Sequence, residues 1–288
     1  MAGTKRTWDG KQLSLQVNNP QPQEQPQGQT QGQTYDSTMA EQSTQIISIF
    51  ENFRNELDEH HDRRERLIKI SRDITALSKK IIFSLQRIRT INQPLPPHIT
   101  KETTTRFAQI TPLFESALPD TQGVNNWRYQ RQLSGAIQEF IEALSFHHYL
   151  EHQTLISLSE VKEKLPAGIL VTEDDYLMGL FDLTGEMMRF AVTSLSAGGA
   201  SQGEGEGTKL GLSEEQAGIV VDLREMRSLF EGLSVPRRAN MMRDLGKKTE
   251  VMQASVEKVE RAAYGILVRG SERPKGWMPD LSVGEESY

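Results

Sequence analysis

Cysteine is absent from all 288 residues. Its absence excludes disulfides, thiolate metal sites and cysteine nucleophiles, and fits a reducing compartment. No apolar run approaches the roughly 18 residues of a membrane-crossing helix, and the N-terminus lacks the apolar core of a signal peptide. No stretch alternates apolar and polar residues as a half-buried strand does. Histidine is scarce, with six in the chain. His60-His61 and His147-His148 read as structural side chains, and the 142/147 spacing keeps His147 off the face of Glu142. A net charge of −6 argues against a surface coated with nucleic acid.

The charge is uneven, however. Between His60 and Thr90 nine basic residues face three acids, and between Pro236 and Lys248 five face one. A mildly acidic protein with such stripes can guide a polyanion along one face. Arg64, Lys79 and Lys80 in the first stripe, and Arg128 and Arg131 further on, are candidate contacts for such a polyanion. Against this stands a solvated face with i,i+4 pairs such as Asp62 with Arg66 and Glu65 with Lys69.

Residues 1–41 are rich in Gln, Pro, Gly and Thr. Such a segment cannot bury enough apolar area to offset its ordering entropy, so it is expected to be disordered. Residues 42–272 are expected to form one α-helical domain, with a flexible Gly-rich insert at 197–208 and an irregular tail at 273–288. The first helix is very long. Seam positions recur at 46, 50, 53, 57, 60, 64, 67, 71, 74, 78, 81, 85 and 88, in steps of four and three. Polar residues at 60, 64, 71 and 78 interrupt it, so it is expected to seek a related chain. Pro94, Pro96 and Pro97 follow as terminators. Further helices are expected at about 100–118, at 124–152, from Ser157 to Leu165 with Ser159 as cap, from a Thr172 cap to Ser196, from Ser213 to Leu233, and at 236–268. The fold class is all-α, about seven helices in a bundle.

Two carboxylate pairs carry the chemistry. Glu139 and Glu142 are three apart in Gln138 to Phe146, and Asp182 and Glu186 are four apart in Asp175 to Glu186. Each spacing places both acids on one helix face. Their neighbours are apolar, where a charge is costly unless paired or bound to a cation. Four oxygen donors without clustered histidine suit a hard cation, Mg²⁺, with Mn²⁺ as the alternative. If the two helices pack together, the acids are expected to meet around the ion. Gly185 lies between the second pair, where helical glycine costs about 1 kcal/mol relative to alanine, and suggests a close backbone approach.

These residues resemble the family of translin and translin-associated factor X over roughly 45–272. The resemblance rests on Phe50-Glu51-Asn52-Phe53-Arg54, on His61 to Lys69, on Ser71-Arg72-Asp73-Ile74-Thr75 and on Gln138 to Phe146. It extends to Asp175-Tyr176-Leu177-Met178-Gly179, Asp182-Leu183-Thr184-Gly185-Glu186 and Val268-Arg269-Gly270-Ser271-Glu272. Within that resemblance, acids at both 139 and 142 look like the factor X side of the family. The resemblance implies a seven-helix, translin-like bundle and a hetero-octameric barrel with a translin paralogue. It also implies endonucleolytic cutting of single-stranded RNA, with DNA as a further ligand, and Glu139, Glu142, Asp182 and Glu186 as catalytic carboxylates. A cytoplasmic and nuclear location is implied too, although Lys5-Arg6 is too small to read as a nuclear signal. The alternatives are a non-catalytic RNA- or DNA-binding subunit that stabilises translin, and a helical adaptor whose acids only make ion pairs.

Overall fold

A computed structural model describes residues 33–198, 212–234 and 244–269. The expected disorder of 1–32, most of the insert at 197–208, the start of the last helix at Pro236 and the tail after 272 lie outside the described residues. Among the described residues there are eight α-helices and no strand. They are α1 (Gln33–Leu85), α2 (Pro97–Ala117), α3 (Asn125–Arg128), α4 (Gln130–His152), α5 (Leu158–Glu163), α6 (Glu173–Gly198), α7 (Glu214–Glu231) and α8 (Leu245–Tyr264).

Helix α1 has 53 residues and begins earlier than the expected boundary at 42, so 33–41 are helical. The chain divides into two compact units, 1–56 and 57–288. In the first, the apolar side chains Ile46, Ile47, Ile49, Phe50 and Phe53 are exposed. In the second, the seam is buried at Leu67, Ile74, Ser78, Ile81, Leu85 and Ile88. The helix stops before the prolines. Pro97 instead opens α2, a first-turn position where its missing N–H is no loss.

The expected third helix, 124–152, is broken at Tyr129 (φ −107°, ψ 6°) into α3 and α4. Tyr129 is buried, and its hydroxyl meets His60 Nδ1 at 2.5 Å. That tertiary contact fixes a break which no glycine or proline announces. Helix α5 is capped by Ser157, not Ser159: the Ser157 hydroxyl accepts from Glu160 N while the Glu160 carboxylate accepts from Ser157 N, a capping box. Ser213 and Gln216 repeat the motif at α7.

Helix α4 forms the middle of the core, burying Leu133, Ile137, Phe140, Ile141, Phe146 and Tyr149 among others. Phe114 of α2 meets Phe140 edge-on at 5.6 Å, and Phe181 of α6 stacks on Phe230 of α7 at 3.9 Å. Helices α4 and α6 pack along their length, and α6 also packs on α7 and α8. Helices α4 and α6 approach closely at Gly179. A Cβ there would lie 2.7 Å from Ile141 Cγ2 and 3.0 Å from the Gln138 carbonyl oxygen. At Gly185, where the sequence suggests a close approach, nothing lies within 4 Å.

The two glycines are therefore expected to respond in opposite directions. Gly179→Ala overpacks a fixed backbone and should destabilise by about 1–3 kcal/mol. Gly185→Ala meets no atom and should stabilise by up to about 1 kcal/mol through helix propensity. Urea denaturation of the two variants checks this, and equal responses would contradict the packing described.

Candidate metal centre

Helices α4 and α6 bring Glu139, Glu142, Asp182 and Glu186 to one cavity of about 610 Å³, which is also lined by Lys79 of α1, by Gln86 just beyond that helix, and by Lys247 and Lys248 of α8. The local reasons are plain. Glu139 and Glu142 sit one turn apart on α4, Asp182 and Glu186 one turn apart on α6, and the close contact at Gly179 holds the two faces side by side. Gly185 lies between the acids of α6 and lines the same cavity. Its missing side chain keeps that wall open.

Upstream, Asp175 anchors the register of the two helices. It is fully buried and accepts hydrogen bonds from Gln130 Nε2 (2.6 Å), Ser134 Oγ (2.5 Å), Gln138 Nε2 (3.1 Å) and Thr172 Oγ1 (2.8 Å). Three of these donors come from α4. Thr172 Oγ1 also accepts from the Asp175 N–H at 3.1 Å, the N-terminal cap that the sequence indicates for α6. Seven residues, two helical turns, separate Asp175 from Asp182, so the clamp and the acid face the same side of α6.

Three of the four acids have partners. Lys79 Nζ lies 3.2 Å from Glu139 Oε1. Lys248 Nζ lies 2.5 Å from both carboxylate oxygens of Asp182. Glu186 pairs with Arg189 and accepts from Gln86 Nε2 at 2.5 Å. Glu142 is buried and, among the described residues, has no ion-pair partner. Burial, reinforced by the negative fields of Asp182, Glu139 and Glu186, pushes its carboxyl up to about 8, against the opposing pull of Lys248. The side chains are thus turned to basic and amide partners, and among the described residues no three acidic or histidine groups are gathered as a ready metal cage.

The chemistry of the donor set fits a hard divalent cation all the same. The anionic side chains lining the cavity are these carboxylates, and no imidazole joins them. A buried glutamate among three like charges is a position that a cation relieves.

Glu142 also makes metal-free stability depend on pH. Its folded-state value near 8 stands above the ordinary 4.5. Below about pH 4.5 both folded and unfolded states hold the proton, and nothing is lost. As pH rises toward 8 the unfolded chain releases it first, so the native state loses stability progressively. Glu142→Gln should lack this slope. In EDTA its melting temperature should exceed the wild type's by about 4–10 °C at pH 8 and by little near pH 4.5. Parallel pH profiles would contradict the burial-driven shift.

Of the basic residues proposed for RNA, only Lys79 lines the cavity. Arg64 pairs with Glu65 at 3.3 Å. Arg128 lies on α3 rather than on the helix of Glu139, and its Nη1 contacts His60 Nε2 at 3.1 Å and Asn125 Oδ1 at 3.3 Å. Arg131 and Lys80 are exposed and lie outside the cavity lining. Arg66, expected to pair with Asp62, forms a two-pronged pair with Asp120 at 2.7 and 2.9 Å, because the turn after α2 brings that carboxylate within reach. Sequence reasoning missed Gln86, Arg189 and Lys248 as neighbours of the acids. Lys248 stands in the basic cluster ending at 248, but nothing in its spacing relates it to Asp182.

A model of the translin family matches residues 62–270. Translin-associated protein X of Rattus norvegicus is 30% identical over 266 residues, covering 84% of this chain and 85% of its own length. Translin of Mus musculus is 24% identical over 234 residues, covering 78% of this chain and 94% of its own. The crystal structure of apo-NeC3PO is similar in fold, with a TM-score of 0.54 at 17% identity, covering 74% of this chain and 94% of that one. The match spans most of the chain, and identity to translin-associated protein X exceeds that to translin: the chain belongs to the translin family.

Proposed function

We propose that this chain is the catalytic subunit of a divalent-metal-dependent endoribonuclease, cutting single-stranded RNA within a hetero-oligomer formed with a translin paralogue. The observation that carries the reading is the convergence of Glu139, Glu142, Asp182 and Glu186 on one cavity, with Glu142 buried among like charges. The four carboxylates would hold Mg²⁺ or Mn²⁺. The ion supplies Lewis-acid polarisation of a phosphodiester and a water acidified enough to attack at neutral pH. The side chains around it have separate tasks. Lys79 and Arg189, largely exposed at the cavity, and the neighbouring Lys247 are placed to meet non-bridging phosphate oxygens and hold the strand in line. Such contacts ignore sequence and weaken with salt. Carboxylate oxygens of the cluster accept the proton of the attacking water. No side-chain nucleophile is needed.

The partner follows from the long first helix. Ile46, Phe50, Phe53 and Leu57 continue the seam, yet are exposed in the single chain. An apolar row of this length is suited to cover by a related helix, and the family resemblance supports a translin paralogue in that role.

A second reading is a non-catalytic RNA- or DNA-binding subunit. It is favoured by the pairing of Glu139, Asp182 and Glu186 with Lys79, Lys248 and Arg189, which a purely structural cluster would also display. Co-expression with the translin paralogue, followed by incubation with single-stranded RNA in Mg²⁺ or EDTA, separates the two. Cleavage in Mg²⁺ alone supports the nuclease. Retention of RNA without cleavage in any divalent ion supports the binding subunit.

A further inference from the structure

We infer that Lys248 is the resident cation of the metal-free centre, and that a divalent ion enters by displacing its ammonium from Asp182. The inference rests on the metal reading given above. Lys248 comes from α8, a helix that carries none of the four acids. Its Nζ lies 2.5 Å from both Asp182 oxygens and reaches the Met178 carbonyl oxygen at 3.4 Å. Its side chain is 22% exposed, so this contact is shielded from solvent, in contrast to that of Lys79, whose side chain is 64% exposed.

The geometry makes the two cations exclusive. A divalent ion ligates carboxylate oxygen at about 2.0–2.6 Å. An ammonium straddling both oxygens already fills that space, and two cations at the same oxygens repel strongly. Asp182 therefore becomes a ligand only when Lys248 leaves it. The lysine stem is long and flexible enough for this. The other pairs are weaker barriers. Lys79 on Glu139 and Arg189 on Glu186 are largely exposed, where an ion pair contributes little, and Gln86 on Glu186 is neutral. Lys248 is also the cation that opposes the repulsion felt by Glu142. The lysine thus does two things: it steadies the acid cluster when no metal is bound, and it raises the metal concentration needed to load the site.

The test is Mn²⁺ binding, read from the electron paramagnetic resonance of the free ion, to the full chain in its complex with the translin paralogue. Wild type, Lys248→Met and Lys248→Arg are compared, with melting temperatures in EDTA and in Mn²⁺. Lys248→Met removes the competitor without adding polarity. It is expected to bind Mn²⁺ about tenfold more tightly, to melt lower in EDTA, and to gain more from Mn²⁺ than wild type does. Lys248→Arg keeps the charge and offers a fork suited to a carboxylate, so it should bind Mn²⁺ no more tightly than wild type. Equal or weaker affinity in Lys248→Met overturns the inference while leaving the metal reading intact, and so does tighter binding in Lys248→Arg, the variant that decides should Lys248→Met not fold. A wild-type complex with no Mn²⁺ site sensitive to Glu142→Ala overturns both.

Discussion

Replacing Asp182 by alanine is expected to lower RNA cleavage by about a thousandfold or more, with assembly and RNA retention largely preserved. Asp182 lines the cavity, is partly exposed and, among the described residues, is held by Lys248, so its removal leaves the helix core untouched. On the proposed function, what it removes is one of the four carboxylates that would hold the ion, where the charge stabilisation would be concentrated. Glu142→Ala should show the same loss, for a different structural reason. Glu142 is buried, as Glu186 is, but among the described residues it has no ion-pair partner, and its charge is costly in the metal-free protein. Its removal should raise the melting temperature in EDTA while abolishing the rise produced by Mg²⁺. A structural ion-pair cluster has a different signature: Mg²⁺ would not raise the melting temperature of the wild type or of either variant, and both variants would cleave RNA at the wild-type rate. Cleavage and melting, measured on the same purified complexes, therefore distinguish a ligand set from a set of salt bridges.

Asp175→Ala is expected to give the largest loss of stability in the chain, about 3–5 kcal/mol. The carboxylate is fully buried and takes four hydrogen bonds from Gln130, Ser134, Gln138 and Thr172. Alanine strands these donors in the interior without returning them to water, and removes the group that ties the start of α6 to α4. Asp175→Asn keeps one acceptor oxygen and should lose less. Because Asp182 and Glu186 lie two and three turns beyond the clamp on the same helix, cleavage should fall with the fold rather than independently of it. Urea denaturation checks the magnitude, and a change within about 0.5 kcal/mol would show that the clamp is not the link between the helices.

The sequence discloses some of this architecture because it is written in local chemistry. Thr172 followed by acids at 173–175 marks the start of α6, and Ser213 with Gln216 marks that of α7. Spacings of three and four place each pair of acids on one face through helical geometry alone. What escapes is set by contacts between distant segments. The break at Tyr129 depends on His60, far away in the chain, and leaves no local mark. Gly179 and Gly185 look alike in sequence, but only packing against Ile141 and Gln138 distinguishes them. The seam of α1 reads as continuous from 46 to 88, yet in this chain it is buried only from Leu67 onward, because burial needs a partner surface and not periodicity alone. Arg64 and Lys80 share with Lys79 a charge and a place in a basic stretch, and Arg128 and Arg131 share its charge, but charge does not encode direction. Lys248 is legible only as part of a basic run, since its pairing with Asp182 arises from α8 folding back onto α6.

The most direct measurement is anomalous scattering from crystals of the complex grown with Mn²⁺. A peak is expected in the cavity between α4 and α6, within about 2.0–2.6 Å of carboxylate oxygens from at least one acid of each helix, with Lys248 withdrawn from Asp182. A complex that cleaves RNA in Mn²⁺ but shows no ion among Glu139, Glu142, Asp182 and Glu186 would contradict the metal centre and place the chemistry elsewhere.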